Sequence, residues 1–309
     1  MDRSPLGQTK YRLSDEQLEY QVTDRLSFMR FLGVLLAGDV PDARTVWAFR
    51  DAFKETGLVD LLFARFNQAL ADLGVQMASG QIIDTTFVPV PIQRNSPERN
   101  ALIKVDAVPV KWGKNKAKLA QKDIDARWTK KGGQDHYGYL CPLGYLYPLG
   151  YKNHINIDRA TKLIAAHACT SACVHDSQVL DAVLRDSEVG GKEIWADSAY
   201  RSAEQEQSLE GSAHHSQIHE RAYRNKPLTE TQEMSNTEKS RIRARVEHVF
   251  GYMENSMGGI GLRTIGMARA AVGIGMMNLV FTLCRVETLI RYRVFDFDRI
   301  GASNVPQMA

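Results

Sequence analysis

Two carboxylates interrupt stretches of this chain that are otherwise apolar and favour β-strands. Asp84 lies within Gln-Ile-Ile-Asp-Thr-Thr-Phe-Val, and Asp197 ends Glu-Ile-Trp-Ala-Asp. An isolated ionised carboxylate in an apolar setting is costly unless a partner compensates its charge. A divalent cation has the right chemistry, because Mg²⁺ is held by one or two carboxylates and keeps waters and phosphate oxygens as its other ligands. The fold therefore has to bring these two segments to a place where their charge is compensated.

A third acidic residue, Glu247, lies in a segment with a helical period. Apolar residues recur around it and form one broad stripe, which comprises Ile242, Val246, Val249, Phe250, Met253 and Met257. On a helix, Glu247 sits about 100° from Val246, at the border between the buried and the open face. A carboxylate there can lean over a sheet edge toward the two aspartates. Separated acids in a chain with many basic residues favour phosphodiester chemistry.

Each of these carboxylates also has an ordinary structural interpretation. Asp84 fits a carboxylate at a strand edge or turn, and Asp197 fits a helix cap before Ser198. Glu247 fits a surface residue paired with Arg243, four positions earlier on the same helix. The residues alone leave these alternatives open.

Three segments, in this order, resemble the catalytic segments of D-D-E transposases of bacterial insertion sequences, in the large IS-five family. They are Ile-Asp-Thr-Thr at 83–86, Trp-Ala-Asp-Ser-Ala-Tyr-Arg at 195–201 and Ser-Arg-Ile-Arg-Ala-Arg-Val-Glu-His-Val-Phe-Gly at 240–251. The likeness runs from about residue 13 to about residue 290. Further matching stretches lie at 125–131, 152–158, 174–177 and 225–228.

The resemblance implies an α/β chain with an RNase H-like mixed sheet flanked by helices, preceded by a small all-α amino-terminal domain. It also implies that Asp84, Asp197 and Glu247 ligate two Mg²⁺ or Mn²⁺ ions. One ion activates water or a DNA 3′-hydroxyl, and the other stabilises the leaving oxygen. Asn or Gln at any of the three positions is expected to abolish cleavage and to leave DNA binding largely intact.

The implied activity is cleavage at insertion-sequence ends and transfer of the 3′-hydroxyl to target DNA. The implied partners are double-stranded DNA, both the terminal inverted repeats and the target, and further copies of the chain in a dimer or higher multimer. A cytoplasmic, nucleoid-associated location without a membrane follows. One alternative is a catalytically impaired or domesticated DNA-binding descendant of a transposase. Another is a metal-dependent nuclease that cuts without joining.

The family's Tyr-Arg-Glu-Lys signature is only partly present. Arg243 and Glu247 match it, whereas Ser240 stands where Tyr is expected and Glu254 where Lys is expected. An ammonium would contact a phosphate at the last position, and Glu254 would repel one. The predicted DNA contacts are Arg243, Arg241, Arg245, Lys130, Lys131 and Arg201.

Charge is unevenly spread along the 309 residues, whose net charge is +3. Residues 1–80 hold nine Lys or Arg and eleven Asp or Glu, which leaves +5 for the remainder. One interval is markedly basic and contains Lys111, Lys114, Lys116, Lys118, Lys122, Arg127, Lys130 and Lys131. Such a cluster fits either a surface that follows a phosphate backbone or a solvated loop.

Residues 1–79 are predicted to form a helical domain, shortened relative to the family pattern. Its role is either dimerisation or DNA-end binding, or packing alone, and the sequence leaves these alternatives open. Ser14 with Gln17 resembles a capping box. Residues 80–290 form the predicted catalytic domain, and 291–309 a tail. The strands of the catalytic domain are expected at 81–90, 136–158, 162–170 and 193–197, with a helix at 177–184 and a polar connection at 201–237.

The sequence predicts neither a signal peptide nor a membrane span. The first ten residues lack the apolar centre of a signal peptide. The uncharged run 270–284 is shorter than the roughly 20 residues of a membrane span, so it predicts a buried helix.

A tandem repeat interrupts the second predicted strand. Residues 138–151 read Gly-Tyr-Leu-Cys-Pro-Leu, Gly-Tyr-Leu-Tyr-Pro-Leu, Gly-Tyr. Pro142 and Pro148 cannot donate to a sheet ladder, so the segment is expected to bulge out or to extend a hairpin loop. We interpret it as a tolerated insertion, since an even number of added residues preserves side-chain alternation when the strand resumes.

Overall fold

The computed structural model describes residues 4–34, 38, 40–91, 93–128, 149–223 and 227–295. The described residues before the sheet form five helices. Ser14 and Gln17 form the expected capping box: the Ser14 hydroxyl accepts from the Gln17 N–H at 3.1 Å, and the Gln17 side chain accepts from the Ser14 N–H at 2.9 Å. The helices are α1 (Ser4–Tyr11), α2 (Asp15–Asp24), α3 (Leu26–Leu32), α4 (Ala43–Thr56) and α5 (Leu58–Asp72).

One mixed sheet forms the centre of the molecule. Its strands are β1 (Gln81–Pro89), β2 (Arg127–Trp128), β3 (Leu149–Asp158), β4 (Ile164–Ser171), β5 (Glu193–Trp195) and β6 (His215–Ser216). β3 lies antiparallel between β1 and β4, β5 runs parallel to β1, and β6 runs parallel to β5. The short β2 pairs with the beginning of β3. The order β4-β3-β1-β5-β6 is consistent with the RNase H-like sheet that the resemblance implies.

The remaining helices lie in the connections and after the sheet. α6 (Pro97–Lys104), α7 (Val110–Gly113) and α8 (Lys116–Leu119) separate β1 from β2. Between β4 and β6 lie α9 (Leu180–Val183), α10 (Ser187–Gly190) and α11 (Ala203–Gly211), and two short 3₁₀ helices span Asp176–Val179 and Ser198–Tyr200. The chain then continues through α12 (Glu230–Arg243), α13 (Glu247–Ser256) and α14 (Met267–Arg291).

The two faces of the sheet bury different sets of helices. Ile82, Val88 and Trp195 pack with residues of α13, α14, α4 and α5, whereas Ile83 and Ile194 pack on the other face, against α9 and α11. The amino-terminal helices thus share one hydrophobic core with the sheet. A smaller cluster holds α2 against α4.

Helix α14 connects these parts. By length and composition it is the one helix in the described ranges that could cross a membrane, but 61% of its apolar window is buried inside the protein. Asn278 in α14 and Asn153 in β3 exchange two side-chain amide hydrogen bonds, at 2.8 and 3.0 Å. These bonds fix the helix against the sheet, as expected of the buried helix predicted at 270–284.

The structure differs from the sequence prediction in three places. The polar connection predicted at 201–237 contains α11, the strand β6 and most of α12; β6 was missed because two polar residues show no strand pattern. Strand β5 ends at Trp195, two residues before Asp197. The helix predicted through 242–257 is interrupted between α12 and α13. Most of the tandem repeat, residues 138–148, lies outside the described residues.

Candidate active site

Asp84 and Asp197 lie beside each other because of the register between two parallel strands. Ile82 of β1 is level with Trp195 of β5. Two residues further along each chain are Asp84 and Asp197, and the backbone of Asp197 is still extended, with φ −68° and ψ 159°. Neighbouring strands lie about 4.8 Å apart. The carboxyl-terminal side of the parallel pair therefore carries two carboxylates at one level.

The cation that contacts Asp84 within the described residues is the guanidinium of Arg243. Its Nη1 donates to Asp84 Oδ2 at 2.6 Å, and the Thr85 N–H donates to Oδ1 at 2.8 Å. The Asp84 side chain is only 17% exposed. Burial raises the pKa of the Asp84 carboxyl above its usual value, and Arg243 and the Thr85 N–H oppose that rise. The negative charges of Asp197 and Asp176 raise this pKa further.

Glu247 is the first residue of α13, and its side chain is exposed. The N–H groups of residues 245, 246 and 247 each bond to the carbonyl three residues earlier, so the backbone between α12 and α13 is a tight 3₁₀ turn. The ion pair between Arg243 and Glu247 that a continuous helix would allow is not formed, and Arg243 contacts Asp84 instead. Within the described part of the chain, no three His, Cys, Asp or Glu side chains lie close enough together to hold a metal ion.

A buried hydroxyl network lies behind the two aspartates. The Thr85 hydroxyl is 2.7 Å from the phenol oxygen of Tyr200 and 2.6 Å from Nδ1 of His154. The His154 Nε2 is 2.8 Å from the Thr170 hydroxyl. Burial lowers the pKa of His154 to about 4, so its ring is neutral at neutral pH. Burial raises the pKa of the Tyr200 phenol, which therefore stays protonated and can hydrogen-bond.

Sequence reasoning missed three neighbours of the site. Tyr200 reaches the site through Thr85, and this link gives no signal in the sequence. His219 lies near Arg243 and Asp197, and its pKa is lowered by burial and by the Arg243 charge, while Asp197 opposes this effect. Asp176 accepts a 2.8 Å hydrogen bond from Lys152 Nζ. It belongs to the matching stretch 174–177, which was the available signal.

The predicted DNA contacts lie in different surroundings. Arg241 is exposed, and Arg245 donates to the Arg159 carbonyl at 2.9 Å. Arg201 pairs with Glu220 at 2.8 Å and Glu206 at 3.5 Å, so its charge is already balanced. Lys130 and Lys131 lie outside the described residues.

The two departures from the family signature have local partners. Glu254 Oε2 accepts from the Ile260 N–H at 3.0 Å and so stabilises the turn after α13. The Ser240 hydroxyl lies 3.3 Å from Nε2 of His219. Glu254 is therefore occupied in a structural contact, whereas Ser240 borders the site.

The comparisons with known proteins agree with this geometry. A family model described as "Transposase DDE domain" matches residues 76–283, and one described as "Transposase domain (DUF772)" matches residues 1–52. No solved structure matches the chain at a significant level. The mixed sheet flanked by helices is consistent with an RNase H-like DDE domain. The chain belongs to the DDE transposases of insertion sequences.

Proposed function

We propose that this chain cleaves DNA at insertion-sequence ends and transfers the freed 3′-hydroxyl to target DNA. The observation that carries the proposal is the register between β1 and β5, which places Asp84 level with Asp197. Two adjacent carboxylates at the carboxyl ends of parallel strands suit hard divalent cations. The matched family uses such cations in general, and we propose two Mg²⁺ or Mn²⁺ ions for this chain.

Asp84 and Asp197 would hold the cations, and Glu247 would complete the set. Val246 and Val249, which flank Glu247, are fully buried on the sheet face that Asp84 shares. An inward turn of the Glu247 side chain, with an adjustment of the tight turn before α13, would bring its carboxylate toward the aspartates. The bound ions would supply the Lewis acidity that activates water or a 3′-hydroxyl and stabilises the leaving oxygen.

Arg243 would change partners during this process. A divalent cation competes with its guanidinium for Asp84, since both bind the same carboxylate oxygens. The Nε atom of Arg243 is buried and has no hydrogen-bond partner among the described residues. A buried unpaired donor is costly, and a DNA phosphate oxygen would satisfy it. Arg243 is therefore the strongest of the proposed DNA contacts, and Arg241, Arg245, Arg201, Lys130 and Lys131 remain proposals beside it.

The wider setting follows from the family. We propose double-stranded DNA as substrate, both the element ends and the target, and a dimer or higher multimer as the active form. The amino-terminal helices are proposed to dimerise or to bind DNA ends. Several of their large apolar side chains are exposed: Tyr11, Tyr20, Leu26, Trp47 and Leu61. We also propose membership in the IS-five group and action on nucleoid DNA in the cytoplasm.

The test is cleavage of the DNA that flanks the gene, in the presence of Mg²⁺ and purified full-length protein. Asp84→Asn, Asp197→Asn and Glu247→Gln should each abolish cleavage and retain binding to the same DNA. Asp181→Asn and Glu238→Gln remove exposed carboxylates elsewhere and should cleave normally. Cleavage by Glu247→Gln at the wild-type rate would remove Glu247 from the site.

A DNA-binding descendant without cleavage is the alternative. The exposed Glu247 and the Arg243–Asp84 ion pair favour it, because no three acids among the described residues form a cluster that could hold a metal ion and a guanidinium already compensates Asp84. Binding without any cleavage by the wild-type chain, with Mg²⁺ or with Mn²⁺, would establish this alternative. Cleavage without strand transfer would instead identify a nuclease.

A further inference from the structure

The segment between β1 and β2 holds a dense concentration of positive charge. Residues 91–122, which we name the basic insert, contain eight Lys or Arg and two Asp or Glu, a balance of +6. The whole chain carries only +3, so all other residues together carry −3. The insert includes α6, α7 and α8, and five of its lysines are exposed: Lys104, Lys111, Lys114, Lys116 and Lys118.

The basic insert is fixed to the core at both ends. Where it begins, the Pro89 carbonyl of β1 accepts from the Leu262 N–H at 2.9 Å. Just after it ends, buried Asp123 accepts from the Gly266 N–H at 3.0 Å and from the Tyr151 hydroxyl at 2.8 Å. These contacts tie the insert to the start of α14 and to β3. A ligand bound on the insert would therefore be held in a fixed position relative to the sheet.

Positive charges crowd together inside the basic insert. The indole of Trp112 is fully buried, with the Arg99 guanidinium 5.9 Å and the Lys122 ammonium 5.3 Å from its ring centroid. Burial lowers the pKa of Lys122, and the charges of Lys118 and Arg99 lower it further. Within the described ranges, no carboxylate forms an ion pair with any of these three cations. Their mutual repulsion is a cost that a polyanion bound nearby would relieve.

We propose that the basic insert binds the phosphate backbone of duplex DNA and positions it across the active site. The inference rests on the proposed function and adds a surface to it. The insert follows the strand that carries Asp84, and the strand ends five residues after that carboxylate, at Pro89. Five residues of strand span about 17 Å, roughly half of the 34 Å helical turn of DNA. A duplex engaged at Asp84 therefore reaches the insert within the same turn.

The insert also exposes aliphatic side chains, at Leu102, Val105, Val108 and Val110. A protein partner would use such a surface, but it would also meet the unbalanced lysines. The charge balance favours DNA, because phosphate contacts gain free energy from counterion release, and protein interfaces are depleted in Lys.

The test compares full-length proteins in buffer with EDTA, using a fluorescently labelled duplex of arbitrary sequence. One variant changes Lys111, Lys114, Lys116 and Lys118 to Gln. The matched control changes four exposed basic residues outside the amino-terminal helices and the proposed DNA contacts to Gln: Lys192, Arg221, Arg263 and Arg293. Binding is measured by anisotropy over a range of KCl concentrations, and folding by thermal melting. Neither variant should melt differently, because the changed side chains are exposed.

At low salt, the insert variant should bind the duplex about tenfold more weakly than the wild type, or weaker still. The slope of log binding constant against log KCl concentration should become less steep by about 2 to 4, since each phosphate contact adds about 0.9 to it. The control should keep most of the wild-type slope. If the wild type binds the duplex and the insert variant shows the same salt slope, this inference is wrong, but the proposed function is not affected. A change in sedimentation with unchanged DNA binding also overturns it, in favour of a protein partner. If the wild type does not bind duplex DNA at all, the proposed function itself is wrong.

Discussion

The hydroxyl of Thr85 lies 2.7 Å from the phenol oxygen of Tyr200, across 115 positions of sequence. Thr85 directly follows Asp84, and Tyr200 comes three residues after Asp197. The bond therefore links the two segments that carry the aspartates, on the side of the sheet opposite to Arg243. His154 holds the same hydroxyl from a third strand at 2.6 Å. We infer that Thr85 and Tyr200 are positioning residues that fix the separation of the two carboxylates.

Tyr200→Phe should therefore impair cleavage more than folding. Loss of one buried hydrogen bond costs about 1 kcal/mol of unfolding free energy. Displacement of a catalytic group by about an ångström can cost about 100-fold in rate, so we expect a fall of tenfold or more in the cleavage rate and a higher half-saturating Mg²⁺ concentration. Binding of metal-free protein to DNA should stay unchanged.

Tyr223→Phe is the matched control, because Tyr223 is 60% exposed. Thr85→Ser keeps the hydroxyl and should cleave nearly normally, whereas Thr85→Val should behave like Tyr200→Phe. Equal Mg²⁺ dependence in Tyr200→Phe and wild type would show that the bond only supports the fold.

Arg243→Gln should make the protein less stable without metal and more responsive to it. The variant leaves the mostly buried Asp84 carboxylate without its cation, at a cost of roughly 1 to 3 kcal/mol. Added Mn²⁺ then binds Asp84 without competition from a guanidinium. We expect a lower melting temperature in EDTA and a larger Mn²⁺-induced rise in melting temperature than in the wild type.

Arg241→Gln provides the comparison, since Arg241 belongs to the same helix but is exposed. Its melting temperature should match the wild type with and without Mn²⁺. A smaller Mn²⁺ response in Arg243→Gln than in the wild type would mean that Arg243 supports the cation site and does not compete with it.

The positions of the two aspartates were predictable, because strand patterns are local. The apolar, β-favouring residues around Asp84 and before Asp197 predict two strands, and the structure contains both as β1 and β5. The resemblance then supplied the expectation that the strands are neighbours. Local pattern and family likeness together were sufficient for this half of the site.

The partner of Asp84 was not predictable from local pattern. Arg243 lies 159 positions away from it, and its contact depends on where α12 ends. No Gly or Pro marks that end, since the turn reads Ala-Arg-Val at 244–246. The apolar stripe continues through the turn, so helical periodicity predicts one helix where tertiary packing makes two. Glu247 consequently lies on an exposed helix start and not beside Arg243.

Acid should destabilise the protein through His154. Its folded-state pKa of about 4 lies below the ordinary value of 6.5. The unfolded chain therefore takes up a proton first as pH falls, and stability is lost between about pH 6.5 and pH 4. Protonation of His154 in the unfolded chain should lower the free energy of unfolding by roughly 2 kcal/mol between pH 7 and pH 5.

Urea unfolding of the wild type and of His154→Gln at both pH values checks this expectation. The variant is less stable at pH 7, because the histidine bonds to Thr85 and Thr170 are lost or weakened. Between pH 7 and pH 5, the unfolding free energy of the variant should decrease by roughly 2 kcal/mol less than that of the wild type. Parallel pH dependence in the two proteins would assign the acid sensitivity to other groups. His215→Gln, at an exposed ring, controls for loss of a histidine in general.

Removal of residues 140–151 should leave the fold intact, because the tandem repeat contains a second Gly-Tyr pair, Gly138 and Tyr139, which can replace Gly150 and Tyr151. β3 needs the pair Gly150 and Tyr151: a β-carbon on Gly150 would collide with the Val88 carbonyl, and the buried Tyr151 hydroxyl donates to Asp123 at 2.8 Å. The deletion joins Gly138 and Tyr139 to Lys152, and so restores the same Gly-Tyr-Lys sequence.

The melting temperature of this deletion should lie close to that of the wild type. Deletion of 140–150 instead, one residue fewer, places Tyr139 where Gly150 stands and should lower the melting temperature strongly through the collision with Val88. In the full-length chain, Tyr151→Phe leaves the buried Asp123 carboxylate without one donor and should cost about 1 to 3 kcal/mol. If the two deletions melt at the same temperature, β3 accepts Tyr as well as Gly at the position of Gly150, and the Gly-Tyr pair is not what the strand requires.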